Sequence, residues 1–245
     1  MNNTTPPKSL LRHVGRAIAD YDMIRSGDRI LLGLSGGKDS LTLLHILLHL
    51  QHYSPVRYEL GVITVDPLVE GFDLSPLGPY LASLSIPYYY EAQPIMERAR
   101  KHMHKDSYCS WCARMKRGIM YSVARRECYT VLALAQHLDD LAESFLMSAF
   151  HAGQLRTMKA HYRIDAGDLR VIRPLVYVRE RQTHDFACRA GLPVIGDNCP
   201  ACFRRPTQRE HMKQLLAQEE AGNKSLFKSL LSAMSPLISK NTPDK

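Results

Sequence analysis

Arg29-Ile-Leu-Leu-Gly-Leu-Ser-Gly-Gly-Lys-Asp-Ser-Leu-Thr-Leu-Leu44 is the stretch from which the fold can be read. An apolar run ends in Ser35-Gly36-Gly37-Lys38-Asp39-Ser40, and a second apolar run at helical spacing follows at once. The pattern predicts a short buried strand, a tight glycine turn and a helix. Such a turn brings successive backbone N–H groups and a helix N-terminus to one point, which suits a phosphate. Gly36 and Gly37 let the backbone approach a ligand with no Cβ in the way, and Ser35, Lys38 and Ser40 add hydroxyl and cationic contacts. A Walker A loop needs a glycine five positions before the final Gly-Lys and a Ser or Thr after the Lys. Those positions hold Leu32 and Asp39, so that loop is excluded.

Working outward, the same strand, loop and helix alternation repeats. Tyr58 to Asp66 reads as a second strand, with Asp66 at its carboxyl end, where open α/β sheets place their ligands. A helix from Leu74 to Leu84 leads to a strand over Ile86–Glu91. Tyr129 to Ala135 is a fourth strand, running into Gln136-His137-Leu138-Asp139-Asp140 and a helix through Phe150. His151 to Gly167 reads as a polar loop, Leu169 to Leu175 as a fifth strand, and Glu180 to Ala190 as a helix closed by Gly191 and Pro193. An entry helix from Ser9 to about Ser26 precedes all of this, and residues 207–234 are predicted to be helical. The fold class that follows is α/β, a doubly wound parallel sheet with N-terminal and C-terminal helical additions. The expected division is 1–26 for the tail and entry helix, 27–205 for the sheet domain, and 206–245 for the C-terminal helical segment and tail.

Composition narrows the function. The chain has 245 residues, 45% hydrophobic and 23% charged, which excludes disorder over its whole length. Its formal charge of +8 favours a polyanionic partner such as nucleic acid. No uncharged apolar run approaches the roughly 18 residues of a membrane span, and Met1-Asn-Asn-Thr-Thr-Pro-Pro7 lacks a signal-peptide core. The expectation is a cytoplasmic protein without membrane contact, whose six cysteines serve as metal ligands, reactive thiols or small buried residues rather than disulfides.

Four cysteines form two Cys-x-x-Cys pairs, Cys109/Cys112 and Cys199/Cys202, far more widely separated than the pairs of a zinc ribbon. A site assembled from such distant parts suits a cofactor in the middle of a domain, and spacing alone leaves an iron–sulfur cluster and zinc equally open. Cys128 and Cys188 read as packing residues. His45 and His49 stand four apart on one predicted helix, where a metal site is possible in principle but packing against the sheet is the expected role. Asp139 and Asp140 have two readings that are compatible with each other. They are helix-start residues, and beside a triphosphate they are carboxylates for Mg²⁺.

Ser35-Gly-Gly-Lys-Asp-Ser40 matches the SGGxDS signature of the PP-loop ATP pyrophosphatases, and the chain as a whole resembles the TtcA family of tRNA 2-thiocytidine synthases. The resemblance spans roughly residues 9–215. It rests on that loop, Val65-Asp66 with Gly71-Phe72, Cys109-x-x-Cys112 with the following arginines and Gly118, His137-Leu-Asp-Asp140, Ile172-Arg-Pro-Leu175, Arg179-Glu180, and Cys199/Cys202 with Pro206 and Arg209. Two places depart from the family pattern, Gln136-His137-Leu138 and Met158-Lys-Ala-His161.

The resemblance implies an adenine nucleotide α-hydrolase-like fold and an ATP- and Mg²⁺-dependent sulfurtransferase. It implies a [4Fe-4S] cluster on Cys109, Cys112 and one of Cys202 or Cys199, and action on cytidine 32 of tRNA. The partners it implies are tRNA, a sulfur donor of the cysteine desulfurase type and a second copy of the chain. Carried over by motif, Lys38, Asp39 and Asp139 would be catalytic. Ser35, Gly36, Gly37, Ser40, Asp66, His137 and Asp140 would bind the nucleotide and its Mg²⁺. Arg114, Lys116, Arg117, Arg204 and Arg205 are candidates for RNA phosphates. Two other functions remain open on the residues: a PP-loop enzyme acting on another RNA position or a small molecule, and a zinc-bound RNA-binding protein without catalysis.

Overall fold

The structure, a computed structural model, describes residues 4–69, 71–95, 97–98, 108–196 and 208–239, and of residues 108–110 only the helical backbone. The sheet has six strands: β1 (Asp28–Gly33), β2 (Tyr58–Asp66), β3 (Tyr88–Ala92), β4 (Val131–Ala133), β5 (His161–Arg163) and β6 (Arg170–Ile172). The helices are α1 (Lys8–Asp20), α2 (Lys38–Tyr53), α3 (Leu77–Ser83), α4 (Tyr108–Arg126), α5 (Leu138–Ala152), α6 (Glu180–Ala190), α7 (Gln208–Gly222) and α8 (Leu226–Ile238).

The strands lie in the order β3-β2-β1-β4-β6-β5. All pairs are parallel except the edge pair β5–β6, which is antiparallel. β1 is central, its register running from Asp28 opposite Tyr58 to Gly33 opposite Ile63. Chain order therefore reverses direction at β1 and β4, so the loops after these two strands open at the switch point of the sheet, where such folds bind ligands. At Gly61 on β2 an added Cβ would lie 2.0 Å from the Tyr129 hydroxyl, so no larger residue fits that approach.

Period-two alternation assigns side chains to the two faces. Ile30, Leu32, Val62, Val131, Ala133 and Ile172 pack into one core with α1, α2, α3, α5, α6, α7 and α8. Leu31, Ile63, Leu132 and Val171 face the other way, onto Val123 and Ala124 of α4. The predicted N-terminal and C-terminal additions thus share the main core, through Leu10, Val14 and Ala17 at one end and Phe227, Met234 and Ile238 at the other.

The structure corrects the expected elements in three places. The polar loop after α5 contains β5, a hairpin partner of β6 closed by a turn in which Gly167 has φ +76. The C-terminal helix is two helices, broken after Gly222. Cys128 and Cys188, expected to be packed, are exposed. His45 is buried and bonded to the Tyr80 hydroxyl, while His49 stacks on Tyr53. Among the described residues no helix is long and apolar enough to cross a membrane.

Candidate active site

The chain leaves β1 at Gly33 and turns into α2 through Leu34–Gly37. Gly36 sits at φ +85, and its carbonyl accepts the Ile195 N–H at 3.0 Å. The two serines brace the turn. Ser35 N–H donates to Ser40 Oγ at 3.2 Å, Gly37 N–H donates to Ser35 Oγ at 3.3 Å, and Ser40 Oγ donates to the Gly37 carbonyl at 2.9 Å. α2 begins at Gly37 without a side-chain cap, so its first-turn N–H groups point into the turn. The geometry is an anion cradle at a helix N-terminus.

Lys38 and Asp39 open that helix. Lys38 Nζ donates to Asp39 Oδ2 at 3.0 Å and to Glu180 Oε1 at 2.9 Å. Burial alone would pull Lys38 down, but the charges of Asp39 and Glu180 outweigh it and leave its pKa raised. Glu180 shows the reverse balance. Burial pushes it up, yet hydrogen bonds from Lys213 and Lys38 hold it down to about 2. Asp39 Oδ1 accepts the Thr183 hydroxyl, which ties α2 to α6.

After β4, His137 caps α5 reciprocally. Its Nδ1 accepts the Asp140 N–H at 3.3 Å, and its own N–H donates to Asp140 Oδ2 at 2.9 Å. With Nδ1 accepting, the proton of the neutral ring sits on Nε2, 3.8 Å from Asp39 Oδ2. Asp139 turns to Arg179, whose Nε donates to its oxygens at 3.1 and 3.2 Å, and to the Glu180 N–H at 2.8 Å. Arg179 is also clasped by Glu220 and lies 3.2 Å over the Phe227 ring. Asp140 Oδ1 accepts from Arg209, which also donates to the buried Glu143 at 2.7 Å. Burial raises the Glu143 pKa, and Arg209 offsets that only in part.

These groups enclose an acidic cleft of about 210 Å³ lined by Asp39, His137, Asp140, Glu143, Glu180 and Lys213, among others. Of the sequence-predicted residues, Asp39, His137 and Asp140 line it, Lys38 reaches it through Glu180, and Ser35, Gly36, Gly37 and Ser40 form the turn that carries Asp39. Asp139 stands behind them on Arg179. Asp66 lies at the end of β2, accepting from the Tyr90 hydroxyl and the Leu68 N–H. Cys112 is half-buried on α4. The Cys109 side chain, Cys199, Cys202, Arg204 and Arg205 lie outside the described residues. Both flanks of the segment bearing Cys199 and Cys202 are nevertheless held at this site, Ile195 at the Gly36 carbonyl and Arg209 at Asp140. Of the other phosphate candidates, Lys116 lies over the Phe72 ring, and Arg114 and Arg117 line a separate basic pocket.

Motif inspection left Thr183, Glu143 and Lys213 without a part in the site, and it gave Asp139 a catalytic role where the structure pairs it with Arg179. Only Arg179-Glu180, standing where a helix begins, offered a signal. No three His, Cys, Asp or Glu among the described residues form a ready metal cage. Two carboxylates on the cleft, Asp39 and Asp140, suit Mg²⁺, which takes one or two carboxylates together with waters and phosphate oxygens.

An uncapped glycine turn at the switch point of a parallel sheet, facing a carboxylate cleft, defines a nucleotide-phosphate-binding α/β protein. A family profile for the PP-loop domain matches residues 8–217. The chain is 42% identical over 93% of its length to a tRNA-cytidine(32) 2-sulfurtransferase of Geobacter sulfurreducens, 89% of which is covered. It is 40% identical over 95% of its length to the same-named protein of Geobacter metallireducens, 91% of which is covered. The chain belongs to the PP-loop domain family and, within it, to the family of the tRNA-cytidine(32) 2-sulfurtransferases. Among solved structures it is similar to the U34-tRNA thiolase NcsA of Methanococcus maripaludis, with TM-score 0.75, 20% identity and coverage of 94% of this chain and 78% of that one. That likeness is one of fold.

Proposed function

We propose that this protein is an ATP-dependent tRNA sulfurtransferase that replaces the C2 oxygen of cytidine 32 in the anticodon loop with sulfur. The observation that carries this is the braced Ser35–Ser40 turn, whose Asp39 lines one cleft with Asp140, in a chain so similar over nearly its whole length to relatives named for that activity.

The first step is attack of the cytosine C2 oxygen on the α-phosphate of ATP, with pyrophosphate leaving. The turn's N–H groups and the α2 N-terminus hold the pyrophosphate end. Lys38 is already shared between Asp39 and Glu180. When phosphate arrives it takes Glu180's place on Lys38, and Glu180 keeps Lys213. Asp39 and Asp140 would hold Mg²⁺, which neutralises phosphate charge. Thr183 orients Asp39 through its hydroxyl, with His137 Nε2 3.8 Å away, and Asp66 takes the nucleoside side of ATP. Asp139 acts through Arg179 as a positioning residue that fixes α5 against α6.

Cys109, Cys112 and one of Cys202 or Cys199 would hold a [4Fe-4S] cluster, which would carry the donor's sulfide for replacement of the C2 oxygen. NcsA, the fold neighbour, carries such a cluster. The cradle at Gly36 and the Arg209 clasp hold the flanks of the later cysteine pair beside the nucleotide, which suits this transfer. Residues 27–205 form the PP-loop domain, with 1–26 and 206–245 as additions, of which the C-terminal one contributes Arg209 and Lys213 to the cleft. The enzyme works in the cytoplasm as a homodimer supplied by a cysteine desulfurase type of donor.

The test is anaerobic purification with iron, sulfide and zinc analysis, then incubation with ATP, tRNA and sulfide. The expected result is about four irons per chain, tRNA-dependent AMP, and 2-thiocytidine at position 32 by nucleoside mass spectrometry. AMP with thiolation at another nucleoside would move the target. A single zinc with no iron would remove the sulfide-carrying cluster.

A further inference from the structure

Outside the catalytic cleft, a second pocket of about 480 Å³ opens on the α4 face of the sheet. It is lined by Arg114, Arg117, Gly118 and Tyr121 of α4 and by Thr157, Lys159, Tyr162 and Arg173. Arg114, Arg117 and Tyr121 recur at helical spacing, so α4 turns one cationic face into it. No carboxylate is among its lining residues.

Arg173 is the decisive group. It is 4% exposed, at the carboxyl end of β6. Its partners are all uncharged: the Gln136 amide oxygen at 2.9 Å, the Lys159 carbonyl at 2.6 Å, and the Tyr162 ring, with the guanidinium 5.4 Å from its centroid. Arg170, three residues earlier on the same strand and equally buried, pairs with Asp28. A buried cation with no counter-charge is costly unless an anion joins it. Burial lowers the Arg173 pKa, and Arg117 lowers it further, in the same sense as that cost. Tyr121 and Tyr162 meet hydroxyl to hydroxyl at 3.5 Å and offer two polar tips and two ring faces.

We propose that this pocket binds one nucleotide of single-stranded RNA next to the nucleotide that reacts, its phosphate on Arg114, Arg117 and Arg173 and its base or ribose against Tyr121 and Tyr162. The inference rests on the tRNA reading above and names the surface that such a substrate would use. The volume lies within the roughly 300–1,000 Å³ usual for small-ligand sites. Cations beside aromatic rings are the usual means of holding an unpaired strand. The position is suitable because Gln136, which accepts from Arg173, is followed directly by His137 of the catalytic cleft. The helix that supplies the arginines also begins with Cys109 and Cys112.

Arg114 is exposed and Arg117 half-buried, so the double variant Arg114→Ala/Arg117→Ala tests the pocket without emptying the core. Affinity of the full chain for an anticodon stem-loop RNA is measured by fluorescence anisotropy across a salt series, beside affinity for a non-hydrolysable ATP analogue. Arg57→Ala/Arg189→Ala removes the same charge from two exposed sites outside the pocket. The expected result is at least about a tenfold loss of RNA affinity with a salt slope shallower by about 1 to 2. The control should change little and the ATP analogue should bind as before. A loss no larger than the control's overturns the pocket assignment alone. Loss of ATP-analogue binding with RNA binding intact assigns the pocket to nucleoside triphosphate and also overturns it. Failure of the unaltered protein to bind RNA would overturn the tRNA reading together with the pocket.

Discussion

Two neighbouring residues, Gln136 and His137, divide the carboxyl edge of the sheet into two unlike regions. His137 belongs to the acidic cleft, where the cations are already matched: Lys38 and Lys213 to Glu180, and Arg209 to Asp140 and Glu143. Gln136 belongs to the basic pocket, where Arg114, Arg117 and Arg173 have no carboxylate partner among the described residues. The cleft keeps its groups in place before any ligand arrives, which suits catalysis by positioned charge. The pocket keeps positive charge for a polyanion, which suits docking.

If the two regions are separable, Asp39→Asn should lower tRNA-dependent AMP formation by about 1,000-fold, the scale of losing a positioned electrostatic group, while leaving RNA affinity unchanged. Retained AMP formation would remove Asp39 from the chemistry. A parallel fall in RNA binding would show that cleft and pocket are one site.

Arg179 tests whether the prearranged order of the cleft comes from its supports. It is 14% exposed on its side chain and holds Asp139, Glu220 and the Phe227 face together. Arg179→Met leaves Asp139 without a cation, and breaking such a pair costs about 3 to 4 kcal/mol. Denaturant unfolding should show that loss, with Glu220→Gln milder because Asp139 stays paired. A loss below about 1 kcal/mol would mean that α5, α6 and α8 do not depend on this clasp.

Much of this architecture can be read from local pattern. The strand over Tyr58–Asp66 and the helix over Glu180–Ala190 have the predicted bounds, because each has strong periodicity and clear stops. β5 could not be read that way: three residues in a polar stretch carry no period, and only pairing with β6 makes them a strand. In the site, the Ser35–Ser40 turn and the His137–Asp140 cap are contiguous motifs and were legible. Thr183 on Asp39 and Lys213 on Glu180 come from distant helices, and nothing in a linear sequence reports which helices meet. The two departures from the family pattern acquire roles in space. Gln136 receives Arg173, and His161 is buried with Nδ1 against the Tyr21 carbonyl.

Acid should distinguish the two regions by stability. Burial holds the His45 pKa down to about 4 from 6.5, so the unfolded chain takes up a proton first as pH falls. Stability is then lost progressively from about pH 6.5 to about pH 4, up to about 3 kcal/mol at roughly 1.4 kcal/mol per unit. Glu180, depressed from 4.5 to about 2, is stabilising above pH 4.5, and that contribution disappears as pH falls toward 2. The two groups stand on α2 and α6, which pack on the face of the sheet opposite α4. Unfolding free energy measured against pH should show both windows, and His45→Gln should flatten only the upper one. A profile flat between pH 6.5 and 4.5 in the unaltered protein would sink the assignment to His45.

The smallest effect probes the joint between the glycine turn and the cysteine-bearing segment. Gly36→Ala puts a Cβ at φ +85 and 2.9 Å from Ile195 Cδ1. The backbone conformation alone costs about 1 to 2 kcal/mol. Gly71, at φ +80 with nothing within 4 Å, supplies the same backbone cost without the contact. The difference between Gly36→Ala and Gly71→Ala therefore isolates the Ile195 contact, which flexible side-chain ends relieve at a cost of well under the about 1 to 3 kcal/mol of overpacking. If Ile195 couples the turn to the segment that follows it, Gly36→Ala should raise the KM for ATP several-fold and slow sulfur transfer, with RNA affinity unchanged. Equal behaviour of the two variants would mean that the turn holds ATP without help from Ile195, leaving Arg209 as the link between the cleft and the later cysteines.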